Sequence, residues 1–303
     1  MLNKSLRHFL FLLMTVWLCQ PSYAMEFLNE QREIPYNQLT YEASKLLLTL
    51  GTEVTLSKKS VAEVSADLVT PKEGNAITPK SGSIYIVTTD SSFFGKHTTY
   101  TLWFDERSAI VQWMREIRRG SKSNVKFYRF SDNGYRDYRK NYPDEDYVVD
   151  LGEINSWGNS FKPYLVKAPE DKVISETGAL LYLVSQLKLQ NAGDEASLLM
   201  YSDEQLIDTR LIVVGKVKLK TDFTIVDNGK TQRINEKERS VIQVMVKPVD
   251  TQGNPVKDLE VMGLQGEISM YIDEATRLLL QISGEVEIAG KVDVKLKSAA
   301  KAP

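Results

Sequence analysis

The chain has 303 residues, with 38 Lys and Arg against 40 Asp and Glu, a formal net charge of −2, one Cys and two His. A balance this close to neutral carries no global field for nucleic acid. The length suits one large domain or two small ones, above the size at which a hydrophobic core needs disulfides or metals to hold it together.

Met1 to Ala24 carries an address. Lys4 and Arg7 make a short basic start, Phe9 to Leu18 is an unbroken, mostly apolar run, and Ser22-Tyr23-Ala24 places small residues where a signal peptidase reads. The run is about half of the roughly twenty residues that span a bilayer. Residues 1–24 are therefore expected to be a cleaved signal, with the mature chain starting at Met25 in the periplasm. Cys19 and His8 leave with it, so the mature chain has no thiol and a single histidine, His97. This excludes disulfides, thiolate metal sites and zinc sites of two or three histidines within one chain. Leu18 directly before Cys19 argues against lipid attachment at that cysteine, and no later apolar run approaches membrane-spanning length.

Tyr41 to Leu56 is ambiguous. Ala43 to Leu50 suits the opening of a helix, whereas Thr49, Thr52, Val54 and Thr55 suit strands around a turn at Gly51. Period-two segments follow at Ser83 to Thr89, Thr98 to Phe104, Ala109 to Ile117, Val125 to Phe130 and Tyr135 to Arg139, with a break at Ser121 to Asn124 and a turn at Asp132-Asn133-Gly134. Asn141 to Asp171 is rich in acidic, Gly, Pro and aromatic residues and reads as a long loop or a seam between two half-sheets.

From Ser175, an expected N-cap, to about Lys188, Ala179, Leu180, Leu181, Leu183, Val184 and Leu187 describe a helix apolar around most of its circumference. Such a helix must be enclosed. Further alternating strands run through Val217, Leu219, Phe223 and Ile225, then Ile242 to Val246, Ile268 to Ile272, Arg277 to Ser283, and Val286 to Leu296. Asp227-Asn228-Gly229 and Asp273 to Thr276 supply hairpin turns, with a longer loop at Asp250 to Pro255. The expected fold is mainly β: a large, curved, half-barrel-like antiparallel sheet wrapped around one buried apolar helix. Residues 25–303 are expected to form one β-rich domain.

The densest cationic tract runs from Arg115 to Lys140, interleaved with tyrosines and phenylalanines. Arg115, Arg118, Arg129 and Arg136, with Tyr128 and Tyr138, are candidates to meet an anionic headgroup at the mouth of the sheet. A solvated outer face that discourages edge pairing explains the same residues. Asp144, Glu145, Asp146, Asp150 and Glu153 are candidate glycosidase carboxylates beside Tyr147, Trp157 and Tyr164, and a hydrated acidic loop is the competing explanation. His97 lies in a polar stretch with no nucleophile beside it in sequence. No nucleophile elbow, phosphate-cradling glycine loop or dinucleotide fingerprint is present.

Ser175 to Lys188, followed by Leu189-Gln190-Asn191-Ala192-Gly193-Asp194, then the strands through Val217 and Ile242, carry a resemblance. It continues in Gly266 to Asp273, Arg277-Leu278 and Ile282-Ser283-Gly284, and in Lys126 to Phe130 before Asn133-Gly134. This layout resembles the exported Gram-negative family called domain of unknown function 3108. The resemblance implies a periplasmic, sheet-rich protein whose outline is similar to lipoprotein carriers of the envelope, and it transfers no functional residues. The expected function is non-enzymatic binding of a lipid, lipoprotein or other envelope component, with no cofactor. The alternatives are an assembly factor for an exported protein or polysaccharide, and a glycan-active enzyme using the 144–153 carboxylates. An outer-membrane barrel is disfavoured because the chain ends in Lys301-Ala302-Pro303 without a terminal aromatic strand.

Overall fold

The computed structural model describes residues 36–301, apart from 46–47, 94, 166, 168–171, 203–204, 251–252, 257–258 and 288–289. The expected signal segment, with Cys19 and His8, lies outside the described residues.

The fifteen strands among the described residues belong to one sheet. The first eight are β1 (Gln38–Lys45), β2 (Leu48–Ser60), β3 (Ser83–Phe93), β4 (Lys96–Asp105), β5 (Ile110–Arg118), β6 (Ser123–Phe130), β7 (Gly134–Tyr142) and β8 (Gly158–Pro163). The remainder are β9 (Ile174–Glu176), β10 (Glu195–Ser202), β11 (Gln205–Asp227), β12 (Lys230–Val249), β13 (Gln265–Asp273), β14 (Leu279–Val286) and β15 (Gly290–Ala300). The spatial order is β8 through β1, then β15 down to β9, so two meanders meet at the β1–β15 ladder. Strands β8 and β9, consecutive in the chain, are the two end strands of that order. Every pair is antiparallel except β9 with β10 and the ends of β11 and β15, where Thr224 to Val226 pair parallel with Ser298 to Ala300. That second contact closes β11 to β15 into a ring of paired strands.

Local chemistry accounts for the turns. Asn228 and Gly229 adopt φ of 48° and 73°, the two positive values that a two-residue hairpin between twisted strands requires. Gly134 is required by a close approach: a Cβ there would lie 2.4 Å from the Lys162 carbonyl oxygen, so any side chain would push β8 away. The ambiguous N-terminal stretch is strand on both sides of residues 46–47. Gly51 lies inside β2, opposite Glu42 and Ser92, and is not a turn.

The apolar helix, α1 (Leu180–Gln186), is shorter than the sequence predicts. Ser175 is a buried strand residue of β9, and the cap is Glu176, whose carboxylate accepts from Gly178 N at 2.6 Å to start a 3-10 turn that leads into α1. Leu180, Leu181, Tyr182, Leu183, Val184 and Gln186 are all buried, and α1 shares one core with strands from both meanders. At about 1.5–3 kcal/mol for each enclosed leucine, this is a principal source of stability.

The helix ends early because Arg277 claims its carbonyl groups. Arg277, at φ 63°, sits in the β13–β14 turn and donates to the carbonyl oxygens of Val184 (3.1 Å), Leu187 (2.9 Å) and Leu189 (2.9 Å). Asp273 shapes that turn: its carboxylate accepts from Thr276 N at 2.8 Å and from Arg239 at 2.7 and 3.0 Å. The Arg277→Gly substitution suits the positive φ and removes the whole side chain, guanidinium included, leaving buried carbonyls without donors. It is expected to cost about 2–4 kcal/mol in urea unfolding. An unchanged midpoint would rule out this clamp.

Candidate functional site

In β4 to β7 the hairpin registers decide which side chains share a face, because cross-strand partners point the same way. Leu102, Trp113 and Tyr128 stand in one row and belong to or pack on the core that contains α1, so their face is the concave one. One row nearer the 119–122 hairpin, the same registers align Tyr100, Arg115, Lys126 and Arg139 on four successive strands. Three cations therefore stand side by side at the rim of the concave face, at the strand spacing of about 4.8 Å.

Aromatic side chains floor this row. Trp113 stacks on Tyr128 with ring centroids 4.1 Å apart, and Tyr100 lies 5.4 Å from Trp113. One carboxylate belongs to the group: Asp137 accepts from Arg139 at 2.8 Å and from the Ser160 hydroxyl at 2.8 Å. Arg115 Nε is buried without a hydrogen-bond partner. Burial, and then the neighbouring Arg115 and Arg139 charges, push the Lys126 ammonium below its ordinary pKa. Behind Tyr100 lies Glu176, whose carboxyl burial pushes up. The Tyr100 hydroxyl lies beside that carboxylate without the geometry of a full hydrogen bond.

The six residues nominated from sequence divide between the two faces. Arg115 and Tyr128 are on the concave side. Arg118, Arg129, Arg136 and Tyr138 point to the convex side, where they fasten the segments that cover it. Arg129 is 5% exposed and donates to the carbonyl oxygens of Val69, Val111 (2.5 Å) and Phe130 (3.1 Å), with burial pushing its pKa down to about 10. Arg136 grips Glu73 with two guanidinium nitrogens. Arg118 lies 4.0 Å over the Tyr147 ring and donates to the carbonyl oxygens of Glu145 and Tyr147. Tyr138 is fully buried, edge-on to Phe127. These four do not share the row of Arg115. Lys126 and Arg139, within the cationic tract but not nominated, do.

The acidic segment is likewise part of the convex cover. Asp150 caps a 3-10 turn (Leu151–Ser156) by accepting from Gly152 N at 2.8 Å, and Glu153 pairs with Lys140 at 3.4 Å. Tyr147 and Trp157 are buried in the convex cluster, whereas Tyr164 packs against the main core on the other side. The carboxylates and the three aromatics do not line a common subsite. Among the described residues, no three His, Cys, Asp or Glu groups converge as for a metal ion.

His97 has partners that the linear sequence hid. The β3–β4 register brings Ser92 Oγ to its Nδ1 at 2.9 Å and Asp90 to its Nε2 at 3.1 Å, with Thr99 bonded to both Asp90 and His97. The imidazole and carboxylate are 40% and 43% exposed near the turn end of the β3–β4 hairpin. Nucleophilic catalysis also needs oxyanion donors and exclusion of water, and this chain of polar groups works as a solvated latch between strands.

A cleft of about 280 Å³ opens between β11, β14 and β15, floored by Leu219, Phe223, Leu280 and Leu296. Two of its three lysines are already engaged, Lys295 with Asp293 at 3.9 Å and Lys297 with Glu42 at 3.5 Å. No family model, curated protein or solved structure matches the chain.

Two measurements separate the faces. Arg129→Gln removes hydrogen bonds worth about 1.5–3 kcal/mol to the convex cover, so proteolysis within 61–82 is expected more than tenfold faster, whereas Arg115→Gln leaves it unchanged. For Asp137, burial raises the pKa, but hydrogen bonds from Ser160 and Arg139 and the charges of Arg139 and Lys162 outweigh it and hold the carboxyl below its ordinary value. A depressed folded value stabilises the fold above the unfolded pKa of about 3.9 and loses that contribution as pH falls through the folded value. The urea midpoint of Asp137→Asn should therefore fall less steeply than wild type between about pH 4 and pH 2; parallel curves would remove the assignment.

Proposed function

We propose that the protein is an exported, non-enzymatic binding protein of the cell envelope that holds the anionic group of an envelope lipid or lipid-bearing component. The observation that carries this reading is the aligned row of Arg115, Lys126 and Arg139 beside the Trp113–Tyr128 stack at the concave rim. Cations at the edge of an aromatic shelf suit an amphiphile whose charged end meets the row while its apolar part lies on the rings. Export is supported by the basic, apolar and small-residue order of residues 1–24, and by the resemblance to an exported family.

The reading differs from a carrier that swallows an acyl chain inside its sheet. Here α1 occupies the concave interior, packed by Tyr85, Phe104 and core residues of both meanders, so the ligand is expected at the rim. The 144–153 carboxylates cap turns and pair with cations on the opposite face, and no catalytic role is assigned to them.

Native mass spectrometry of the protein recovered from periplasmic extract tests the reading. The expected species is a chain beginning at Met25 that carries an anionic lipid adduct, with the adduct lost in the Arg115→Gln, Lys126→Met double variant. A bare wild-type chain, or equal adducts in both proteins, would sink it.

A further inference from the structure

The concave row is not uniform, and the difference points to the chemistry of its ligand. Arg139 is neutralised by Asp137, which its guanidinium meets at 2.8 Å. Asp137 is itself 4% exposed and is also held by Ser160, so that ion pair is fixed within the sheet. Arg115 and Lys126 stand opposite each other in the β5–β6 ladder, and no carboxylate is paired with either among the described contacts. Like charges placed directly across a ladder repel, and the buried, unpartnered Nε of Arg115 adds a donor with nothing to donate to. The sheet thus presents two adjacent positive charges within one strand spacing.

A single carboxylate has one charge and two oxygens, enough for one of these cations. A phosphate diester has likewise one charge. A phosphate monoester carries about −1.5 to −2 at neutral pH on three free oxygens, so one tetrahedral group can accept the planar fork of Arg115 and the point charge of Lys126 together. The Tyr100 hydroxyl, next in the row and itself without a well-formed hydrogen bond, is a further donor beside Arg115. The Glu176 carboxylate is the nearby opposing charge, and its oxygens already accept from Gly178 N and the Thr177 hydroxyl.

We propose that Arg115 and Lys126 form a phosphate-monoester site, with the dianionic group bridging guanidinium and ammonium and with Arg139 withheld by Asp137. This rests on the rim-binding reading above and specifies the anion that the rim selects. The same group occurs on a lipid headgroup and as free phosphate.

Titration of the full mature chain at pH 7.5 tests it, using inorganic phosphate against acetate, and phosphatidylcholine vesicles containing phosphatidate against vesicles containing phosphatidylglycerol. Inorganic phosphate, phosphatidate vesicles or both are expected to bind at least tenfold more tightly than their comparators. Arg115→Gln and Lys126→Met should each remove that preference, Arg115→Lys and Lys126→Arg should retain part of it, and Lys122→Gln, in the neighbouring hairpin, should not alter it. The charge-conserving pair keeps the test informative if a neutral variant does not fold. Binding of vesicles alone assigns the site to a lipid headgroup, and binding of phosphate alone to a soluble monoester. Equal binding of monoester and diester vesicles, weakened in both by the variants, would overturn the monoester assignment while leaving anion binding at the rim standing. Wild-type binding no tighter than that of the Arg115→Gln, Lys126→Met double variant for every probe would overturn both.

Discussion

The capping of α1 by Arg277 is the contact on which the interior depends. A helix of seven residues is far below the length at which helices persist on their own in water, and its terminal carbonyls cannot be left bare in an apolar interior. Arg277 answers both problems, because one guanidinium satisfies the carbonyls of Val184, Leu187 and Leu189 and places a cation at the negative end of the helix. Its aim is set at a distance: Asp273 orders the β13–β14 turn, Arg239 holds Asp273, and the turn puts Arg277 at a φ that non-glycine residues seldom adopt. At the other end Glu176 supplies the cap, so two charged side chains permit an otherwise greasy segment to be buried.

With α1 fixed inside, the sheet's two faces acquire different duties. On the convex face of the first meander, residues 61–69 and 143–157 lie over Trp103, Val111, Phe127 and Tyr138, and the arginines on that side become their fasteners. Gln112 joins them by accepting from Val69 N at 3.1 Å and donating to the Asp67 carbonyl at 2.6 Å. On the concave face the cover is α1, with β9 and the 3-10 turn before it. Gly178 lets that turn approach until a Cβ would be 3.1 Å from the Tyr100 ring. Beyond Tyr100 the row continues through Arg115 and Lys126 to Arg139, which is paired within the row by Asp137.

The layout was legible where period two persisted over five or more residues, as in β4 to β7 and β11 to β15, and the enclosed helix followed from its all-round apolarity. What sequence could not supply was register. The 119–122 hairpin, with Gly120 at φ 48°, lies two residues earlier than the break suggested by Ser121 to Asn124. The hairpin centre sets by parity that Arg115 and Lys126 share one face while Arg118 and Arg129 share the other. Nor could composition separate a loop from a lid. The acidic and aromatic 141–171 segment holds a 3-10 turn and β8, and its Tyr147 and Trp157 are core residues of a second, convex cluster. Ser175 looked like a cap because serine is a good one, but pairing of β9 with β10 placed it in the sheet and passed the cap to Glu176.

The contrast among the arginines of one short tract bears on what the row is for. Arg129, though almost fully enclosed, has its donors on three carbonyls, and Arg136 has a carboxylate to itself. Arg115 has neither, and the residue across from it is another cation. Strand pairing holds these two charges where their repulsion and the idle donor cost stability, so the rest of the sheet must offset them. Had solubility been the only demand, the two charges could have stood apart on the solvent side of the same strands. Sites where local chemistry disagrees with an otherwise consistent fold are where binding is most reasonably sought. In this row the disagreement has no internal remedy: Arg129 also faces a cation, Arg136, but both have acceptors, whereas Arg115 and Lys126 stand together beside an aromatic shelf at the concave rim without one among the described contacts.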